Sequence, residues 1–360
     1  MQSVTDSKAP TKYKWISGLD SIRFILALIV LLSHYPNPFL SFKDSHSLFL
    51  RIIPSISNVF YNGAAAVITF FIISGFVIHY PNRNKTSLNV VSFLIRRVIR
   101  IGIPLIIVEL IGIYYKHQDL IPIWSLYCEL IYYICYPLLF MIKISWTRKF
   151  QISFVIGLII AVAFNYQSIL SAFYHRDINY MGDYWYLGTL LTAVLGLPCW
   201  LLGVLLAERI DSLDYEISFI TIMKYRIGVL FISIILLIVM FHFYISYIFT
   251  FNIFALLLVK WLEKEIVYYK THNCSRILEY MGKFSYSLYL THGLLRIFIS
   301  LLIPYELATY LVYIVLAIFI SYIIYLLIEY PSHKIAQSLS KWSDKLLAKK
   351  VISGNRSLLL

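Results

Sequence analysis

Long apolar runs separated by short charged clusters set the pattern of this chain. Reading the runs between the clusters predicts ten helices, at about residues 15–35, 59–80, 98–115, 122–142, 152–170, 185–207, 226–242, 245–261, 284–303 and 307–328. Each is near the ~20 residues that carry a helix across a bilayer. The nearly unbroken apolar stretch 226–261 is too long for one tilted span, so it is read as two helices with a tight turn near His242 and Ser246. Pro36-Asn37-Pro38 ends the first helix directly after His34. The expected fold class is therefore all-α: a polytopic integral membrane protein of about ten transmembrane helices, with residues 1–335 as a single membrane domain and 336–360 as a short basic cytoplasmic tail.

Composition sharpens this reading. The 360 residues are 60% hydrophobic and 14% charged, against roughly 25% charged in soluble domains, which excludes an ordinary water-soluble globule. The net charge of +13 would point to nucleic acid in a soluble chain, but its distribution tells another story. With the N-terminus inside, the inner segments hold 25 of the 31 Lys and Arg residues, and the outer segments only Lys43, Arg51, Lys116 and Arg176. The other two, Arg23 and Arg296, lie within predicted spans. By the positive-inside rule both termini are expected in the cytoplasm, and the bilayer rather than nucleic acid is the partner. Residues 15–35 are too long for a signal-peptide core, carry Asp20 and Arg23, and lack a small-residue cleavage site, so they are read as a retained helix. Cys128, Cys135, Cys199 and Cys274 form no CxxC pair and no Cys/His metal spacing, so neither a disulfide framework nor a metal is expected.

Ionisable groups inside spans are costly and mark candidate chemistry. The first helix carries Asp20, Arg23 and His34. Arg23 and His34 are eleven residues apart, three turns plus about 20°, so both project from one face roughly 16 Å apart along the axis. Asp20 and Arg23, at i and i+3, equally make a structural pair; His34 is either an interfacial histidine or a general base. Arg96, Arg97 and Arg100 cluster at the inner end of the third run, as positive-inside anchors or as a bidentate phosphate clamp. Glu129, about a third of the way in from the outer face, is read as protonated and hydrogen-bonded or as paired with a cation. His292 and Arg296, at i and i+4, are placed to face one cavity, with structural hydrogen bonding as the alternative for His292. His79 is read as interfacial.

These residues fall in blocks that resemble the acyltransferase 3 family of bacterial membrane acyltransferases, which includes O-antigen and surface-polysaccharide O-acetyltransferases. Gly18-Leu19-Asp20-Ser21-Ile22-Arg23 through Ser33-His34 is similar to the family's LDGLRG…SH signature. Phe70–Phe76 resembles FFxxSGF, Arg97–Arg100 RxxR, Trp124–Glu129 WSLxxE, Ser285–His292 the YSLYLxH segment and Glu329-Tyr330-Pro331 ExP. The departures are Ser21 and Phe24 at usual glycine positions, and Leu130 where a second glutamate often follows the first.

The resemblance implies transfer of an acyl group, commonly acetyl from acetyl-CoA as co-substrate, to a carbohydrate hydroxyl at the outer face of the bacterial inner membrane. It implies catalytic roles for His34, Glu129, Arg23 and Asp20, CoA binding by Arg96, Arg97 and Arg100, and substrate contacts from Ser74, Trp124, Tyr286 and His292. Glu129 is expected to orient or charge-balance His34. Two routes stay open: deprotonation of the sugar hydroxyl by His34 for direct attack, or a transient acyl-imidazole. The competing class is a transporter or flippase for a polysaccharide precursor. That class calls for paired, interrupted helices in two matching halves, and Pro104 and Pro137 make no such pair. No GxSxG elbow is present.

Overall fold

The computed structural model describes residues 16–115, 123–174, 188–243, 247–304 and 306–356, and among these every regular element is helical. The helices are α1 (Leu19–His34), α2 (Leu48–Phe60), α3 (Gly63–His79), α4 (Val90–Tyr114), α5 (Trp124–Met141), α6 (Trp146–Tyr174), α7 (Gly188–Arg209), α8 (Phe219–Phe243), α9 (Tyr247–Thr271), α10 (Arg276–Gly282), α11 (Ser285–Leu302), α12 (Tyr310–Ile324) and α13 (Tyr330–Arg356). A short π-helical turn, Tyr325–Glu329, joins the last two. The basic N-terminal tail with Lys8, Lys12 and Lys14, the outer-loop residues Lys116 and Arg176, and the turn at Ser246 lie outside the described residues.

Each predicted run is a helix, but not each is a simple apolar rod. Among the described residues six segments are long and apolar enough to cross a membrane: Leu48–His79, Trp124–Met141, Trp146–Phe164, Gly188–Ser212, Phe219–Val239 and Tyr310–Leu346. The other runs are shorter or carry charge: α1 has 16 residues, and α4, α9 and α11 hold the arginines, glutamates and histidines that matter below.

Local capping explains several boundaries. The expected 59–80 run breaks because Asn62 caps α3: its side chain accepts from Ala65 N at 3.0 Å and donates to the Ser233 carbonyl at 3.0 Å. Helix α1 has no cap of its own. Glu279 on α10 supplies one, with Oε1 accepting from Gly18 N, Ser21 N and Ser21 Oγ at 3.1, 3.0 and 2.7 Å, a carboxylate at a helix N-terminus where the macrodipole favours it. Helix α9 continues ten residues past the expected 261 because its carboxylates are paired. Arg226 grips buried Glu265 through Nε and Nη2 at 2.7 and 2.8 Å, and Arg209 reaches Glu263 at 2.7 Å. The boundary drawn at residue 335 falls inside α13, which packs along α4. There Ser92 Oγ meets Ser340 Oγ at 2.6 Å and Asn89 donates to Asp344 at 2.6 Å. Helix α13 is thus tied to the bundle rather than hanging from it as a tail.

The tightest crossing is α3 against α7. A Cβ on Gly203 would lie 1.9 Å from the Ile72 carbonyl oxygen, and one on Gly75 would lie 2.0 Å from that of Trp200. The two backbones therefore touch, the close approach that small residues give membrane helices. Gly203→Ala is expected to cost on the order of 3 kcal/mol, the upper end of overpacking penalties. Gly228→Ala, with nothing within 4 Å, is expected to be neutral or slightly stabilising. Thermal unfolding of the two variants in one detergent separates them.

Candidate active site

Helices α1, α3, α4, α5, α11 and α13 line a cavity in two adjoining parts. The wider part, about 320 Å³, is lined by Asp20, Arg23, Arg96, Arg97, Arg100 and His333 among others. The deeper part, about 90 Å³, shares Arg23, Arg97 and Arg100 and adds Ser74, Ser125, Glu129, Tyr133, Tyr286 and Tyr289. Arg97 and Arg100 reach it because they stand at i and i+3 on α4. Arg23 reaches it from the polar face of α1, where Asp20 Oδ1 holds its Nη1 at 3.3 Å. Outside the spans, partial burial first and the Arg96 charge second hold the Lys85 ammonium below its usual range. Cations crowd this end of the cavity, as a polyanion would require.

Glu129 ends a directed chain of hydrogen bonds. The Trp200 indole N–H can only donate, and it donates to Ser74 Oγ at 3.2 Å. Ser74 Oγ lies 3.1 Å from the Tyr133 hydroxyl, which in turn donates to Glu129 Oε1. Every donor in the series therefore points toward the carboxylate, which the cavity also exposes to Arg97 and Arg100. The expected pairing of Glu129 with His34 is not what the structure holds: Tyr133, one turn along α5, has taken the carboxylate.

His34 is exposed at the far end of α1 and is not among the cavity's walls. Its Nδ1 lies 2.9 Å from the Val30 carbonyl, and its ring centroid is 4.8 Å from that of His292. Arg296 does not line the cavity either; its Nη1 donates to the His34 carbonyl at 2.9 Å, which fixes the end of α1 against α11. His292 is fully buried and sits between His34 and Tyr289, whose hydroxyl pairs with Ser125 at the cavity's inner wall. Contacts thus run in series from the arginine-lined cavity through the Ser125–Tyr289 pair to His292 and on to exposed His34.

Of the residues singled out from the sequence, Asp20, Arg23, Ser74, Arg96, Arg97, Arg100, Glu129 and Tyr286 line this cavity. His34 and His292 form a pair beyond it. Trp124 packs edge-on against Phe71 instead of lining it. His79 is buried rather than interfacial, with Nε2 2.5 Å from Glu208 Oε1 and Nδ1 3.0 Å from the Tyr136 hydroxyl. Sequence reading missed Tyr133, Trp200, Ser125, Tyr289, His333 and the acceptor role of buried Glu329, which takes the Ser287 hydroxyl at 2.7 Å. Ser125, Tyr289 and Glu329 carried a signal in standing inside the quoted blocks, and Tyr133 in its i+4 spacing from Glu129; Trp200 and His333 carried none.

A family model described as an acyltransferase domain matches residues 16–326. The chain belongs to the acyltransferase 3 family. It is therefore an acyltransferase, and its apolar helices make it a membrane protein. No curated protein and no solved structure matched the chain. Five of the six sequence blocks of the acyltransferase 3 resemblance lie within the matched stretch, on α1, α3, α4, α5 and α11, which line the cavity. The sixth, Glu329-Tyr330-Pro331, lies just beyond it, where the π-helical turn meets α13.

Proposed function

We propose that the chain is an O-acyltransferase that moves an acetyl group from cytoplasmic acetyl-CoA to a hydroxyl of a surface carbohydrate, such as an O-antigen or exopolysaccharide, at the outer face of a bacterial inner membrane. In this reading all ten apolar runs span the bilayer and both termini lie in the cytoplasm. The observation that carries it is the arginine-lined cavity leading from Arg96, Arg97 and Arg100 to the wall behind which His34 stands at the opposite end of α1. A cationic entrance and an imidazole at the opposite face are what a donor carrying phosphates and an acceptor on the other side of the membrane need.

The phosphates of CoA sit on Arg96, Arg97 and Arg100, where guanidinium forks match phosphate oxygens. The pantetheine arm runs past Arg23, which Asp20 orients, toward Ser74, Glu129, Tyr133 and Tyr286, whose polar atoms suit its amides and hydroxyl. The thioester then lies at the Ser125–Tyr289 wall, where Ser125 and Arg23 are the donors for the oxyanion. His34, exposed at the outer end, takes the proton of the sugar hydroxyl.

The test is transfer of radiolabelled acetyl from acetyl-CoA to a polysaccharide or lipid-linked saccharide extract by purified protein in liposomes. Label in the carbohydrate is the expected result. Absence of both transfer and CoA binding by calorimetry, with the fold intact, would sink this reading.

A further inference from the structure

Two imidazoles stand where one was expected, and their hydrogen bonds fix which nitrogen of each is basic. A backbone carbonyl only accepts, so His34 Nδ1, 2.9 Å from the Val30 oxygen, carries its ring's proton and leaves the Nε2 lone pair free to act as a base. The same argument holds for His292, whose Nδ1 is bonded to the Tyr289 carbonyl. Its Nε2 is buried and has no hydrogen-bond partner among the described residues, an unusual condition for a buried polar atom. With Nδ1 locked on a carbonyl, each ring has one usable nitrogen. One ring therefore cannot hold an acyl group and accept a hydroxyl proton in the same step.

Resting on the function proposed above, we infer that the two tasks are divided: His292 Nε2 is the nucleophile that carries the acyl group, and His34 Nε2 is the base that activates the acceptor. Burial decides the assignment. An acyl-imidazole is prone to hydrolysis, and His292 is sealed from water, whereas His34 is exposed and can return a proton to solvent. Position agrees, since His292 lies between the Tyr289 wall of the cavity and His34.

In the first half-reaction the Tyr289 phenol turns away from Ser125, and the His292 Nε2 lone pair attacks the thioester carbonyl carbon. The carbon–sulfur bond breaks, and CoA leaves as the thiolate, which takes up one proton from the solvent on the cavity side. His292 becomes an N-acylimidazolium, still donating Nδ1–H to the Tyr289 carbonyl. In the second half-reaction the acceptor hydroxyl oxygen attacks the acyl carbon as its proton passes to His34 Nε2. The carbon–nitrogen bond breaks, its electron pair returns to His292 Nε2, and His34 releases the proton to the outer solvent. The sum is acyl-CoA plus alcohol giving ester plus CoA, with one proton taken up on the cavity side and one released on the outer side.

An acyl-enzyme predicts that, with no acceptor present, the purified protein in liposomes exchanges radiolabelled CoA into acetyl-CoA. Exchange is expected in the wild type and retained in His34→Ala, which loses transfer to carbohydrate. It is expected to vanish in His292→Asn, whose side-chain amide keeps a donor for the Tyr289 carbonyl but offers no nucleophile; retained CoA binding by calorimetry shows that this variant is folded. Should His292→Asn lack CoA binding, His292→Gln with the same calorimetric check replaces it. Wild-type transfer to carbohydrate without exchange would overturn the covalent route and leave the proposed function standing. Exchange lost in His34→Ala but kept in His292→Asn would overturn the assignment of roles. A wild type that neither exchanges nor transfers would overturn both this inference and the function it rests on.

Discussion

His34→Ala and His34→Gln are expected to lower acetyl transfer to carbohydrate by about 10²–10⁴-fold, the usual worth of a positioned general base. The loss should fall on kcat and leave the affinity for CoA unchanged, because His34 lies outside the cavity that the arginines line. The fold survives the change: the side chain is exposed, and the Arg296 anchor uses its backbone carbonyl, which either variant keeps. Initial rates at varied acetyl-CoA and at saturating acceptor, beside calorimetric CoA titration, read the two quantities separately. Full activity in folded His34 variants would remove His34 from the chemistry altogether, and a raised KM for acetyl-CoA with unchanged kcat would move it into donor binding.

Replacing Arg97 or Arg100 by Gln is expected to act on the other side of that division. A hydrogen bond to a charged partner is worth about 1.5–3 kcal/mol, so each substitution should raise the KM for acetyl-CoA by roughly 10–100-fold, with kcat changed far less. Arg→Lys should recover only part of this, since an ammonium keeps the charge but loses the fork. The effect should shrink as salt is raised, because exposed phosphate contacts are screened. Dephospho-CoA supplies the specific control: if these arginines hold the 3′-phosphate, the wild type should discriminate against the dephospho analogue and the variants should not. Equal discrimination in wild type and variants would place the phosphates elsewhere and leave the cluster as a membrane anchor.

Much of the molecule was legible in order along the chain. The helical runs, the break after His34 and the Arg97–Arg100 pair all follow from spacing within one helix, where a 3.6-residue period fixes direction. The division of 226–261 into two helices follows from bilayer thickness. What spacing could not supply was the ends of helices governed from a distance. Helix α1 begins where Glu279 caps it, and α9 runs on because Arg226 and Arg209 neutralise its glutamates. Helix α13 lies along α4 because Ser92 and Asn89 meet Ser340 and Asp344.

The site divides in the same way. The sequence alone determined a membrane chain of apolar helices, an arginine cluster at one end, a histidine at the other end of the first helix and the family resemblance, since hydropathy and local period are properties of contiguous residues. Only the tertiary structure decided which of these groups meet. It turned Glu129 to Tyr133, set Tyr289 and Ser125 as the wall of the cavity, and brought His292 of α11 against His34 of α1. Those pairings depend on how helices far apart in the chain pack and on which carbonyl each ring finds, and neither is encoded in the spacing of residues along a single helix.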